Sequence, residues 1–117
     1  MSYSGQDMIE HMVFRYYSHL LTRVEGEVTE IFIARRKDEY SKRGGIEQRL
    51  RLMRGNLDDQ HMNAILARGP ENFYRDTAER VMRERGQEVV LNRCPKCNRI
   101  VRTPKARQCM WCLHDWH

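Results

Sequence analysis

The chain has 117 residues, of which 40% are apolar and 32% charged, with a formal net charge of +5. That balance excludes a membrane-spanning bundle and a chain too polar to bury a core, and its length suits one modest globular unit. The N-terminal MSYSGQDMIEHMVFRYY is interrupted by Asp7, Glu10 and His11, so it offers neither a secretory-signal core nor ~18 apolar residues to span a bilayer, and a cytoplasmic location is expected.

The first element is an amphipathic helix over about 5–22. Ser4, followed three residues later by Asp7, satisfies free amides at its start, and Met8, Ile9, Met12, Val13, Tyr16, Tyr17, Leu20 and Leu21 recur at helical spacing. The stripe Val24, Val28, Ile31, Phe32 continues it in steps that drift around a straight helix, so a break near Gly26 and a second helix to about Tyr40 are expected. Gly44-Gly45 is the turn that follows.

A third helix runs from Ile46 to about Met53, with Gly55-Asn56 as its stop, and a fourth starts from Asp58 with Met62, Ile65 and Leu66 facing inward. Gly69-Pro70 opens a fifth, since proline has no amide to leave unpaired in a first turn. Phe73, Thr77 and Val81 form its buried side, Arg83 and Arg85 oppose the negative end of its dipole, and Gly86 closes it. Glu88–Asn92, short and β-branched, reads as a strand. The expected organisation is a helical body over 1–87 and a cysteine-rich C-terminal unit over 88–117 packed on it, with no internal repeat of 20–50 residues.

The chemistry lies in Cys94-Pro95-Lys96-Cys97 and Cys109-Met110-Trp111-Cys112, two Cys-x-x-Cys pairs with 11 residues between them. A two-residue gap lets one tight turn aim both sulfurs at a single point, and two such turns complete a tetrahedral four-sulfur site. Residues 98–108 supply the connecting hairpin, with Thr103-Pro104-Lys105 at its tip. In a reducing compartment this pattern points to metal rather than disulfides, and a redox dithiol would need one pair in a βαβ setting. His114 and His117 offer a competing assignment in which a histidine replaces one cysteine.

These residues, Cys94, Cys97, Cys109 and Cys112, resemble the zinc-ribbon family, whose members carry two such knuckles on a small antiparallel sheet. The resemblance covers the C-terminal quarter and implies one structural zinc ion. Where the family commonly has glycine after each second cysteine, this chain has Asn98 and Leu113. The family's use in transcription and translation factors and as a protein-docking surface implies a macromolecular partner. Rubredoxin, an iron protein with similar knuckles, separates them much more widely.

A closed four-thiolate sphere leaves no position for water or substrate, so the metal is expected to stabilise rather than catalyse. Phosphate-loop, zinc-protease and nucleophile-elbow motifs are all missing, so neither an enzyme nor a small-molecule substrate is expected. Asp7, Glu10 and His11 share a helix face, and Asp58, Asp59 and His61 cluster at another helix start, where solvated helix ends account for them. Trp111 and Trp116 read as covers for the metal or packing onto the body, with base stacking as the competing use.

Charge divides the partner classes. Residues 88–117 hold six bases against Glu88 and Asp115, a net of +4, but four zinc-bound thiolates with one divalent cation reduce this to about +2. A second basic zone, 35–54, has eight bases against Asp38, Glu39 and Glu47. The first expectation is a non-catalytic binding module in which Arg99, Arg102, Lys105 and Arg107 contact nucleic-acid phosphates, with Arg35, Arg36, Lys37, Lys42 and Arg43 extending the patch. The alternative is a protein-interaction adaptor or regulatory subunit whose helices form the interface while zinc staples the C-terminus.

Overall fold

The computed structural model describes residues 3–41, 44–54 and 59–116. Among them are five α-helices: α1 (Gly5–Tyr16), α2 (Arg23–Ser41), α3 (Ile46–Arg54), α4 (Asp59–Ala67) and α5 (Pro70–Arg85). Short 3-10 turns follow α1 at Ser18–Leu20 and α5 at Gly86–Glu88. No described helix is long and apolar enough to cross a membrane. The expected stop at Gly55-Asn56, the Asp58 cap, and Lys42 and Arg43 lie outside the described residues.

By internal packing the chain divides into two compact units, one of Met1–Leu21 with Tyr74–His117 and one of Thr22–Phe73. The sequence suggests a cut at residue 87, where helix gives way to the cysteine-rich segment. Packing groups the residues differently, because α1 and most of α5 share their core with that segment, and the division falls inside α5.

In the first unit, the Ser4 hydroxyl caps α1 by accepting from the Asp7 amide at 3.2 Å, as the sequence indicates. Val13 packs with Leu20, Ala78, Val81 and Val89, while Met8 and Met12 pack with Ile100, flanked by Tyr3, Leu91 and Trp111. Met12, Val13, Val81, Ile100 and Val101 are almost wholly buried; removing a buried side chain such as Met12 or Ile100 costs about 2–5 kcal/mol. Two long-range hydrogen bonds secure the segment: the Val90 amide donates to the Tyr17 hydroxyl at 3.0 Å, and the Arg80 guanidinium donates to the Leu20 carbonyl at 3.0 Å.

In the second unit α2 packs on α3 and α4. Val28, Ile31, Phe32, Ala34, Met62, Leu66 and Phe73 are buried, with the Phe32 and Phe73 rings 5.6 Å apart. The turn to α3 uses positive φ at Gly44 and Gly45, 71° and 84°, which glycine adopts without steric penalty. It brings the α3 N-terminus to Asp38, whose carboxylate accepts from the Ile46 and Glu47 amides at 2.9 and 3.2 Å. Glu47 then accepts from Arg35 at 3.0 Å and from Arg51 at 3.2 Å.

The sequence-based break near Gly26 is corrected. Gly26 lies inside α2, and α1 ends at Tyr16. Thr22 and Glu25 decide the position: the Glu25 amide donates to the Thr22 hydroxyl at 3.2 Å, and the Thr22 amide donates to the Glu25 carboxylate at 2.8 Å. This reciprocal capping box satisfies two otherwise free amides and starts α2 three residues before the glycine.

The expected strand Glu88–Asn92 is also corrected. Glu88 closes a 3-10 turn, and no strand occurs among the described residues. The antiparallel pairing that exists is limited to two isolated bridges, Arg93 with Ile100 and Gln108 with Asp115.

Candidate metal centre

Each cysteine pair is built from the same set of backbone hydrogen bonds. The Cys94 amide donates to the Arg99 carbonyl at 2.9 Å and the Asn98 amide to the Cys94 carbonyl at 2.8 Å. The Cys109 amide donates to the His114 carbonyl at 2.8 Å and the Leu113 amide to the Cys109 carbonyl at 2.9 Å. Further out, Val101 donates to Asn92 at 2.8 Å and Trp116 to Arg107 at 2.9 Å. Every bond in 92–101 has its counterpart in 107–116 at an offset of 15 residues, although the two segments share little side-chain chemistry beyond the cysteines.

This turn aims amides at sulfur. The Cys94 sulfur receives the Lys96 and Cys97 amides at 3.4 and 3.5 Å, and the Cys109 sulfur receives the Trp111 and Cys112 amides at 3.3 and 3.5 Å. The sulfurs meet across the two turns, Cys94 with Cys112 and Cys97 with Cys109, each at 3.6 Å, and all four lie within 4.8 Å of one another. A disulfide needs ~2.05 Å. A tetrahedral ion bound at ~2.3 Å by four thiolates sets its sulfurs ~3.8 Å apart, so the chain's own spacing fits one metal ion at the centre. Four sulfurs in this geometry suit zinc or iron.

Electrostatics agree with that role. Burial pushes the Cys94 thiol up, but the amides of Cys97 and Lys96 and the neighbouring Cys112 and Cys97 thiols outweigh it and bring its pKa to about 7. Burial likewise opposes the Cys112 and Trp111 amides at Cys109, whose pKa falls below the ordinary value. At Cys97 the Arg99 amide favours the thiolate, yet burial and the sulfurs of Cys109, Cys112 and Cys94 hold the proton on, with a pKa of about 11. Four thiolates this close repel one another, and a divalent cation among them removes the conflict.

Positive φ completes both turns. Asn98 has φ 62° and Leu113 has φ 65°, so the places where the zinc-ribbon family commonly has glycine adopt the glycine conformation with other residues. Arg93 braces the first by donating to the Asn98 carbonyl at 3.1 Å. Leu113 is 71% exposed.

Among the described residues no other group of three or more His, Cys, Asp or Glu side chains is positioned to hold an ion. The Asp7, Glu10 and His11 face is accounted for locally: Glu10 accepts from Gln6, and the His11 ring meets Tyr16 edge-on. Asp58 lies outside the described residues, as does the side chain of Asp59. His114 does not join the sulfurs; its ring stacks on Trp116, 6.0 Å away and 22° from parallel. His117 lies outside the described residues.

Trp111 and Trp116 both pack on the cluster of Cys94, Val101 and Cys109. Trp111 also packs on the cluster that contains Met8 and Met12 of α1, meets Tyr3 edge-on at 5.2 Å and donates its indole N–H to the Ile100 carbonyl at 3.3 Å. The Tyr3 hydroxyl accepts from the Ile100 amide at 3.1 Å, and the Arg99 guanidinium lies 5.6 Å above the Tyr3 ring. Sequence reasoning missed Tyr3, because nothing local marks a residue 97 positions away as a support of the first turn. It missed Asn92 too, whose side chain donates to the Thr103 and Ala106 carbonyls at 3.0 and 2.8 Å and shapes the 102–105 turn.

The four bases singled out for nucleic acid, Arg99, Arg102, Lys105 and Arg107, are all exposed. They do not behave alike: Arg99 is laid on Tyr3, whereas Arg102, Lys105 and Arg107 form no ion pair among the described residues. No family model matches this chain, and no curated protein and no solved structure matches it either.

Proposed function

We propose that the four-cysteine group binds one Zn2+ as a structural ion, that residues 92–116 are a minimal zinc ribbon, and that the protein is an intracellular, non-catalytic module that binds nucleic acid. The observation that carries the partner class is the run of exposed cations Arg102, Lys105 and Arg107 beside the metal centre, which form no ion pair among the described residues. Cations without a carboxylate partner are ready to replace the counterions condensed on a phosphate backbone. Arg99, held over Tyr3, positions the first turn. A metal enclosed by four thiolates has no open position for substrate, which supports a structural ion.

The test is metal content by native mass spectrometry, followed by fluorescence anisotropy with labelled oligonucleotides at low and physiological salt. The reading expects one zinc per chain. It also expects binding that falls when Arg102, Lys105 and Arg107 become alanine, with the log–log salt slope on duplex reduced by about 2–3. Binding confined to low salt, or unchanged in the triple variant, removes nucleic acid as the partner.

A second reading, a protein-binding module that docks through its second cysteine turn rather than through its helices, draws on Leu113. A leucine that is neither buried nor in a conformation leucine favours contributes little to its own fold, and it suits a contact with another protein. Under that reading Leu113→Asp abolishes capture of a protein partner while the metal stays bound.

A further inference from the structure

Beyond the metal centre, the Thr22–Phe73 unit carries a surface of its own. Glu30, Ile33, Ala34 and Lys37 stand on one face of α2 at helical spacing, opposite Ile46 and Leu50 of α3, and enclose an open hollow of about 330 Å3. A second hollow of about 450 Å3, lined by Arg36, Lys37, Tyr40, Ser41 and Ile46, adjoins it and shares Lys37 and Ile46. Ile33, Ile46 and Leu50 are only half-buried, and Tyr40 is 83% exposed, so a strip of apolar side chain stays uncovered along the helix pair.

The charges differ along this groove: Glu30 lines one hollow, and Arg36 and Lys37 line the hollow at the Tyr40 end. Asp38 is used up on the Ile46 and Glu47 amides, and Glu47 is shared by Arg35 and Arg51. Arg36 and Lys37 form no ion pair among the described residues, which leaves the Tyr40 end of the groove cationic. A groove between two packed helices accepts a third helix by ridge-into-groove packing, and helix-in-groove recognition reads apolar anchors one turn apart.

We infer that the α2–α3 groove of Ile33, Ala34, Ile46 and Leu50, rimmed by Arg36 and Lys37, is the docking site for an acidic amphipathic helix of a partner protein. The apolar face of that helix covers the strip, and its carboxylates meet Arg36 and Lys37. The inference uses none of the residues around the cysteines, and it gives Arg36 and Lys37, which the sequence offers as an extension of a phosphate-binding patch, to a protein partner instead.

The probe is a fluorescein-labelled helical peptide with leucines at i, i+3, i+4 and i+7 flanked by glutamates, against the same peptide with lysines for the glutamates. The zinc-loaded full chain is used in amide chemical-shift mapping and anisotropy titrations. Shifts centred on Ile33, Lys37, Ile46 and Leu50 are expected with the acidic peptide, with binding about tenfold weaker for the Arg36→Glu, Lys37→Glu double variant. Ile33→Ser supplies a second variant that leaves the charges in place and removes an anchor. Equal binding of the lysine peptide, shifts centred elsewhere, insensitivity to both variants, or closure of the groove by a second copy of the chain each overturns the inference.

Discussion

Asn98 and Leu113 hold equivalent places in the two cysteine turns, with φ of 62° and 65°, and each donates its amide to the carbonyl of the first cysteine of its pair. Asparagine tolerates the left-handed region, whereas leucine brings Cβ close to a backbone oxygen at a cost of roughly 1–2 kcal/mol. The second turn is therefore the more strained of two otherwise matching halves.

Leu113→Asn should stabilise the metal-loaded protein by about 0.5–1 kcal/mol, because the exposed side chain gives up little burial while the backbone strain falls. Leu113→Val should act in the opposite direction, since β-branching worsens the same clash. Chemical denaturation of the zinc-loaded variants measures both, and a Leu113→Asn protein less stable than the parent would contradict the account.

Chelating the metal, or Cys109→Ser, should loosen the unit that contains Trp111 while α2, α3 and α4 keep their helical signal. Trp111 and Ile100 join the cysteine turns to Met8 and Met12, so loss of the ion reaches α1 through them. Tryptophan fluorescence with far-ultraviolet circular dichroism separates the two effects. Near neutral pH, metal binding should release protons, that of Cys97, whose pKa is about 11 without the ion, among them; affinity should fall as pH drops through 7, where Cys94 also takes up its proton. Calorimetry in buffers of different ionisation heat reads that release.

Tyr3→Phe should destabilise the protein by about 1–2 kcal/mol. The ring, its edge contact with Trp111 and the Arg99 cation above it remain, but the Ile100 amide loses its acceptor in a half-buried setting. Thermal denaturation tests it, and a change within measurement error would mean that solvent replaces the hydroxyl.

Glu47→Gln should lower stability at neutral pH by about 0.5–1 kcal/mol. Burial raises the Glu47 pKa, but the Arg35 and Arg51 guanidinium groups outweigh it and hold the carboxyl below its ordinary 4.5. A depressed folded value means that this contribution is present above pH 4.5 and is lost as pH falls through the lowered folded value. The gap between parent and variant should close in acid, as urea unfolding across that range would reveal.

Much of the helical layout was legible from local pattern. Ser4 caps α1, Pro70 opens α5, and Gly44-Gly45 turns the chain, because each acts on its own backbone within a few residues. The break before α2 was misplaced at Gly26 because a helix tolerates one glycine at about 1 kcal/mol, while the Thr22 and Glu25 box satisfies two amides outright. That signal was present in the sequence and outweighed the one read.

Two Cys-x-x-Cys turns bring four cysteines to one point on local grounds alone, since a two-residue gap leaves the backbone few ways to hold its sulfurs. What those turns lean on is settled by the fold. It placed Tyr3 under the Ile100 amide, joined Trp111 to α1, laid Arg99 on the Tyr3 ring and left Arg102, Lys105 and Arg107 without acidic partners among the described residues. Those relations pair residues far apart in the chain, and their energies depend on burial and distance, which no local pattern encodes.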